Sequence, residues 1–326
     1  MKTLTLKNLF LLLVVLLAGN VFAQNSRVLR IGLVVPPTQQ WSLSAAKFGE
    51  ELKEATSGRL TVAIFPSSQL GSEAQMIQQI QTGALDMGFL TTAELANRVP
   101  ELAALHAPFL VKDLAQARMV LESPIATKIF EKFPASIGAV GLGYGMNGMR
   151  HILTRDVSSG PADLKGKKIR VIPTPVMRDF YEIMGATPTP IPFAAIYEAF
   201  ANGQVDGIDM DFEATYYNKY HTIAKTMLVT NQTMLPMAAI FSLKVWRELT
   251  DADHKLIQQL IDKQMRVIRD AAVTNEESFR KRLAETGFQM KPVPREAFGD
   301  AVQKWDSKWV PKAPDIPALR AFAAKQ

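Results

Sequence analysis

Arg170 stands inside the apolar run Ile169-Arg-Val-Ile172, where a guanidinium needs an anion to meet its charge. That anion is either a carboxylate of the same chain or a carboxylate brought by a ligand. Arg150, within Met149-Arg-His-Ile-Leu153, poses the same requirement. Asp209 and Asp211 are two residues apart, so on a strand they share one face. Paired carboxylates there suit acid–base work, a cation, or the hydroxyls of a bound molecule. With no obvious third partner in the sequence, a binding role is favoured.

Other motifs are weaker. His106, His151, His221 and His254 share no metal-ligand spacing, and no HExxH, GxSxG or phosphate-loop motif occurs. Each histidine reads as a packing or surface residue, and no metal or cofactor is expected. Gly143-Tyr-Gly145-Met-Asn-Gly148 is a GxGxxG in form. The residues behind it, Arg150 to Thr154, read as extended rather than as the helix a dinucleotide site requires. These glycines instead suit a backbone crossing or close approach to a ligand. The basic run Leu164-Lys-Gly-Lys-Lys-Ile-Arg170 lacks interleaved aromatics, so Lys165, Lys167 and Lys168 read as a solvated turn and no nucleic-acid partner is expected.

The elements that must hold these residues belong to a chain of 326 residues with 48% hydrophobic and 21% charged content, ordinary for a globular protein. That length calls for two domains. The absence of cysteine excludes disulfides, thiolate zinc, iron–sulfur clusters and thiol catalysis. At the N-terminus Lys2 and Lys7 precede an apolar run from Leu9 to Ala18, and Val21-Phe-Ala23 places small residues at a cleavage site. This pattern predicts a secretory signal peptide over residues 1–23 and a mature chain from Gln24. The apolar run is too short to span a bilayer, which takes roughly 20 residues. The expected location of the mature chain is outside the cytoplasm, without stable membrane insertion. Two of the six net positive charges belong to that leader, so the charge balance says little about partners.

Downstream, strands are predicted at Val28–Val35, Leu60–Phe65 and Leu85–Leu90. Helices fall between them, at Ser42–Thr56 with Leu43, Ala46, Phe48 and Leu52 inward, and after Ser72 up to Gly83. This alternation implies an α/β unit with a parallel sheet. It restarts with the strand Lys167–Ile172, a helix over Val176–Met184, a proline-rich connection Thr187–Pro192 and a helix over Phe193–Asn202. Ile80-Gln-Thr-Gly-Ala-Leu-Asp-Met87 and Phe200-Ala-Asn-Gly-Gln-Val-Asp-Gly207 repeat one junction, which points to duplicated lobes. Ser136–Thr154 reads as a glycine-rich crossing between them and Met237–Leu243 as a further strand. Asp251–Glu285 is a long amphipathic helix able to brace both lobes, and the tail with Trp305 and Trp309 packs back on them.

Taken in order, these segments resemble the substrate-binding proteins of TRAP transporters (the DctP family) over nearly the whole mature chain. Phe65-Pro-Ser-Ser-Gln-Leu-Gly71, Asn147-Gly-Met-Arg150, Leu164-Lys-Gly-Lys-Lys-Ile-Arg-Val171, Pro188-Thr-Pro-Ile-Pro-Phe193 with Tyr197, and Gly203–Gly207 carry the resemblance. It implies a two-lobed, type II-like periplasmic binding protein with a hinge, not an enzyme. Lobe I is expected over residues 24–148, completed by about 235–270. Lobe II is expected over 149–234, completed by the C-terminal helices at about 271–326.

The resemblance further implies that Arg170 clamps a ligand carboxylate, that Arg150 adds a second contact and that Phe193 packs on the ligand. Trp41 is expected to add apolar contact, and Thr91, Thr92, Asn147 and Asp209 to satisfy hydroxyls. Where the family commonly continues Val-Asp-Gly with Gln-Glu-Asn-Pro, this chain has Val205-Asp-Gly-Ile-Asp-Met-Asp211. Asp209 thus replaces Glu and Met210 replaces a ligand-contacting Asn, with Asp211 beside them. The implied partners are a small organic acid, with a sugar acid among the candidates, and the small and large membrane permease subunits. A monomer is expected. An ABC-type or sensor-associated binding protein shares the architecture, and a periplasmic enzyme using Asp209 and Asp211 is the alternative of a different class.

Overall fold

The computed structural model describes residues 26–326, so the expected signal peptide lies outside the described residues. The chain opens with β1 (Arg27–Leu33), α1 (Gln40–Ala55), β2 (Leu60–Phe65), α2 (Glu73–Thr82) and β3 (Met87–Thr91). In α1, Trp41, Ala45, Phe48 and Leu52 recur every three or four residues and are buried. Leu43 and Ala46, expected inward, fall on the solvent face, and Leu43 is half exposed. Ser72 starts α2 with a capping box: its hydroxyl accepts from the Gln75 N–H while the Gln75 side chain answers the Ser72 N–H. Gly83 ends the helix at φ +78°, a left-handed conformation that favours glycine.

Four short helices follow, α3 (Thr92–Leu95), α4 (Leu114–Glu122), α5 (Pro124–Lys128) and α6 (Phe133–Ile137). The chain then crosses through β4 (Ala139–Met149) directly into β5 (His151–Thr154). The alternation restarts with β6 (Lys168–Val171), α7 (Pro175–Ile183), β7 (Thr187–Pro190), α8 (Ile196–Ala201) and β8 (Gly207–Met210). After α9 (Phe212–Tyr217) and β9 (Thr226–Val229), the chain returns through β10 (Met234–Ser242). It closes with α10 (Leu243–Trp246), α11 (Asp251–Glu285), β11 (Met290–Pro292), α12 (Ala301–Trp309) and α13 (Ile316–Ala323).

Two sheets result, ordered β2-β1-β3-β10-β4 and β11-β9-β5-β8-β6-β7. In each, three parallel strands take the order second, first, third, and an antiparallel strand lies beside the third. The expectation of parallel sheets is corrected to mixed ones. β10 returns from the second sheet beside β3, and β5 arrives from the first sheet beside β8; strands that carry the chain across run against the parallel set.

The repeated junction has one physical role in both halves. Asp86 accepts from the Arg30 N–H on β1, and Asp206 accepts from the Lys168 N–H on β6, each at 2.8 Å. Gly83 and Gly203 both turn at positive φ just before these aspartates. The proline-rich segment expected as a connection instead forms β7. It lies at a sheet edge against β6, where prolines without an N–H are tolerated.

α11 covers the predicted span residue for residue and is about 52 Å long at 1.5 Å per residue. It packs on β4 and α1 at the first sheet and on α9 at the second. The tail closes the other side. Trp305 donates its indole N–H to the Val176 carbonyl and Trp309 donates to Asp179, each at 3.1 Å, fixing α12 on α7. α13 packs on α4 and on the turn at Pro100–His106. Among the described residues no helix is long and apolar enough to cross a membrane.

Candidate functional site

A cavity of about 300 Å³ lies between the sheets, where the parallel strands β1, β3, β6 and β8 end. Ligands of open α/β sheets occupy this position, outside the carboxyl ends of the strands. The volume is at the lower end of the range of roughly 300–1,000 Å³ usual for ligand pockets, so it suits a small molecule. From the first sheet's side come Val34, Val35, Trp41, Glu73, Thr91 and Glu94. Asn147 and Arg150 enter from the crossing, and Arg170, Ile172, Phe193, Met210 and Asp211 from the second sheet's side. Eight of the ten residues singled out in the sequence therefore meet in one place.

Thr92 and Asp209 do not line it. The Thr92 hydroxyl donates to the Pro236 carbonyl at 3.0 Å and lies 2.9 Å from His106 Nε2 in the interior. Asp209 is fully buried. One of its oxygens accepts from Arg150 Nε; the other accepts from the Tyr181 hydroxyl at 2.6 Å and from Gln232 Nε2 at 3.0 Å. Its carboxylate is thus filled by the protein. The expectation that Asp209 reads ligand hydroxyls does not fit this geometry.

The two arginines have opposite surroundings. Arg150 pairs with Asp209 through Nε and with Asp211 through Nη1 at 2.9 Å, and Nη2 donates to the Asp209 carbonyl. Burial alone would lower its pKa, but the two aspartates outweigh burial and hold it above the ordinary arginine value. Asp211 also caps α9, accepting from the Ala214 N–H at 2.8 Å. The charge of Arg150 is therefore met within the fold. Arg170 is equally buried, yet its one protein bond among the described residues is from Nε to the Ile191 carbonyl at 2.8 Å. No carboxylate pairs with it among these residues. Burial and the neighbouring Arg150 lower its pKa to about 10, so it stays charged at neutral pH. A buried guanidinium with unspent donors facing a cavity has the donors to bond an anion there.

Glu73 and Glu94 were not anticipated. Glu73 begins α2, and its carboxylate accepts from both the N–H and the hydroxyl of Thr91. Burial pushes it up to about 7, helped by nearby Glu94. Glu94, buried on α3, is raised by burial and accepts from Asn97 at 2.9 Å. The sequence offers only a weak signal for Glu73, its place in the first turn of a helix that follows a strand end. Nothing local in the sequence marks Tyr181 or Gln232, whose roles depend on Asp209. Among the described residues no cluster of three or more His, Asp or Glu side chains is placed to hold a metal.

Behind the cavity, Glu276 of α11 faces the crossing. A Cβ on Gly148 would come within 2.6 Å of its Oε2 and 3.0 Å of the Asp211 Cβ, so the glycine leaves room for both side chains beside the crossing. Burial pushes the Glu276 carboxyl from 4.5 up to about 8, with Asp211 adding to the rise. The folded state thus keeps this group protonated at pH values where the unfolded chain ionises it. Its contribution is full below pH 4.5 and is lost progressively as pH rises toward 8. Glu276→Gln removes that loss, so its melting temperature relative to wild type should climb from pH 5 to pH 8. A constant difference across that range would contradict the assignment.

The model of the bacterial extracellular solute-binding protein family 7 (DctP) matches residues 31–310. A TRAP periplasmic solute-binding protein of Bradyrhizobium sp. BTAi1, solved in complex with α/β-D-galacturonate, superposes with a TM-score of 0.86 at 30% identity, covering 92% of this chain and 100% of that one. The 2,3-diketo-L-gulonate-binding periplasmic protein YiaO of Escherichia coli is 27% identical over 297 residues, 88% of this chain and 89% of YiaO. The uncharacterized protein y4mM of Sinorhizobium fredii is 33% identical over 209 residues, 64% of this chain; the match spans only 38% of that longer protein.

Proposed function

This chain belongs to the bacterial extracellular solute-binding protein family 7, and on that premise we propose that it captures a small sugar acid in the inter-sheet cavity, with Arg170 as the carboxylate clamp. Its family and structural neighbours are substrate-binding transport proteins of TRAP systems, which deliver ligand to a membrane permease rather than transform it. The observation that carries the ligand class is Arg170, the buried cation of the cavity that no carboxylate of the described residues neutralises. The relatives that bind galacturonate and diketogulonate support the same class.

In this reading the planar guanidinium of Arg170 grips one carboxylate in bidentate fashion. A charge-assisted hydrogen bond nets about 1.5–3 kcal/mol, whereas micromolar affinity requires about 8 kcal/mol. The remainder comes from enclosure: Trp41 and Phe193 cover apolar faces of the sugar, and Asn147, Thr91 and Glu73 bond its hydroxyls. The sheets close on the ligand about β4–β5 and β9–β10, where the chain crosses, shifting an open–closed equilibrium. The closed form, a periplasmic monomer released from its signal peptide, docks on the small and large permease subunits.

The test is a thermal-shift screen of ligand-stripped protein against organic acids. Uronates or aldonates at a hundredfold over Kd should stabilise the fold by about 2.7 kcal/mol. Stabilisation by amino acids or neutral sugars alone, or by none of the acids, would overturn the reading.

A further inference from the structure

Resting on the sugar-acid reading, we propose that the cavity selects acids bearing a single carboxylate, and that Glu73 and Glu94 are the residues that exclude a second one. The charged groups of the lining are Arg150, Arg170, Glu73, Glu94 and Asp211. Arg150 is already matched by Asp211 and by Asp209 behind it, so this group brings no positive charge to a ligand. Among the described residues one uncommitted cation, Arg170 on the second sheet, is left to meet one carboxylate, and the first sheet's wall presents two carboxyl groups and no cation.

Both acids are held in place. Glu73 is fixed by two donors from Thr91, and Glu94 by Asn97. A hydroxyl reaching this wall donates to Glu73 and meets no penalty. A second carboxylate would bring like charge into a region of low dielectric, where repulsion is strong. It would be accommodated only by taking up a further proton, a cost the monoacid does not meet. Burial raises both carboxyls, which lets them serve as hydrogen-bonding partners of hydroxyls as readily as charges. Discrimination of this kind works by an element that opposes the wrong ligand as well as by one that attracts the right one.

Matched acids of one carbon skeleton separate this inference from the reading it rests on. Titration calorimetry at pH 8 compares galactonate with galactarate, and gluconate with glucarate, each an open-chain pair differing in having one or two terminal carboxylates. Wild type should bind the preferred monoacid at least 100-fold more tightly than its diacid. In Glu73→Gln, Glu94→Gln and the double variant that ratio should narrow, by tenfold or more in the double variant. Equal affinities for the members of a pair in wild type, or an unchanged ratio in all three variants, would overturn the inference and leave the sugar-acid reading standing. Binding of neither member of any pair, nor of any other sugar acid, would overturn both. Circular dichroism and apo melting of the variants report whether each is folded, and two separate positions keep the test open should one variant misfold.

Discussion

Replacing Arg170 by alanine is expected to abolish ligand-induced stabilisation while leaving the unliganded fold intact. Truncating one member of a desolvated charge pair at an interface costs about 2–5 kcal/mol, which is roughly 30-fold to several thousand-fold in Kd. Among the described residues the same side chain makes one hydrogen bond to its own protein, to the Ile191 carbonyl, and pairs with no carboxylate, so it holds a buried charge in the interior. Removing that charge relieves a desolvation cost. Arg170→Met should therefore melt at or above the wild-type temperature without ligand, yet gain nothing from acids that stabilise wild type. Arg170→Lys should recover only part of the affinity, because an ammonium keeps the charge but loses the planar fork. Near wild-type affinity in Arg170→Ala would sink the clamp assignment.

Arg150 should behave in the opposite way. Its guanidinium answers Asp209 and Asp211, both fully buried. Arg150→Met strands two carboxylates in the interior, and breaking a buried pair from one side costs about 3–5 kcal/mol. Urea unfolding of ligand-free protein should show that loss as a lower midpoint with a similar slope. Because Asp209 also holds Tyr181 and Gln232, and Asp211 caps α9, the damage should spread into the packing of the crossing. Neutralising the aspartates together with the arginine, as Arg150→Met/Asp209→Asn/Asp211→Asn, should cost less than the single change, since no unpaired charge remains. A stable Arg150→Met that loses ligand affinity would instead make Arg150 a direct ligand contact.

Much of the fold was legible because its signals are local. The strand–helix alternation, the Ser72 cap, the Gly83 stop and the span Asp251–Glu285 each follow from spacing within a few turns. The Asp86 and Asp206 junctions were visible as a repeat, although their bonds to Arg30 and Lys168 reach across 56 and 38 residues. Sheet direction was less legible, because β10 and β5 arrive from the other half of the molecule and no local pattern encodes which neighbour they meet.

The site divides the same way. The apolar neighbours of Arg150 and Arg170 announced two buried charges, but the sequence alone did not say which of them is answered internally. That depends on aspartates 59 and 61 residues away folding onto the first and not the second. Glu73 and Glu94 escaped notice because each resembles an ordinary acidic residue in the first turn of a helix. Only the closing of the second sheet over them turns them into the far wall of a cavity.

The most direct measurement is a crystal structure of the protein with the acid that gives the largest thermal shift. The predicted result is one ligand carboxylate on the terminal nitrogens of Arg170, with hydroxyls toward Glu73 and Arg150 still paired with Asp209 and Asp211. A carboxylate bound away from Arg170, or a ligand outside the inter-sheet cavity, would contradict the account.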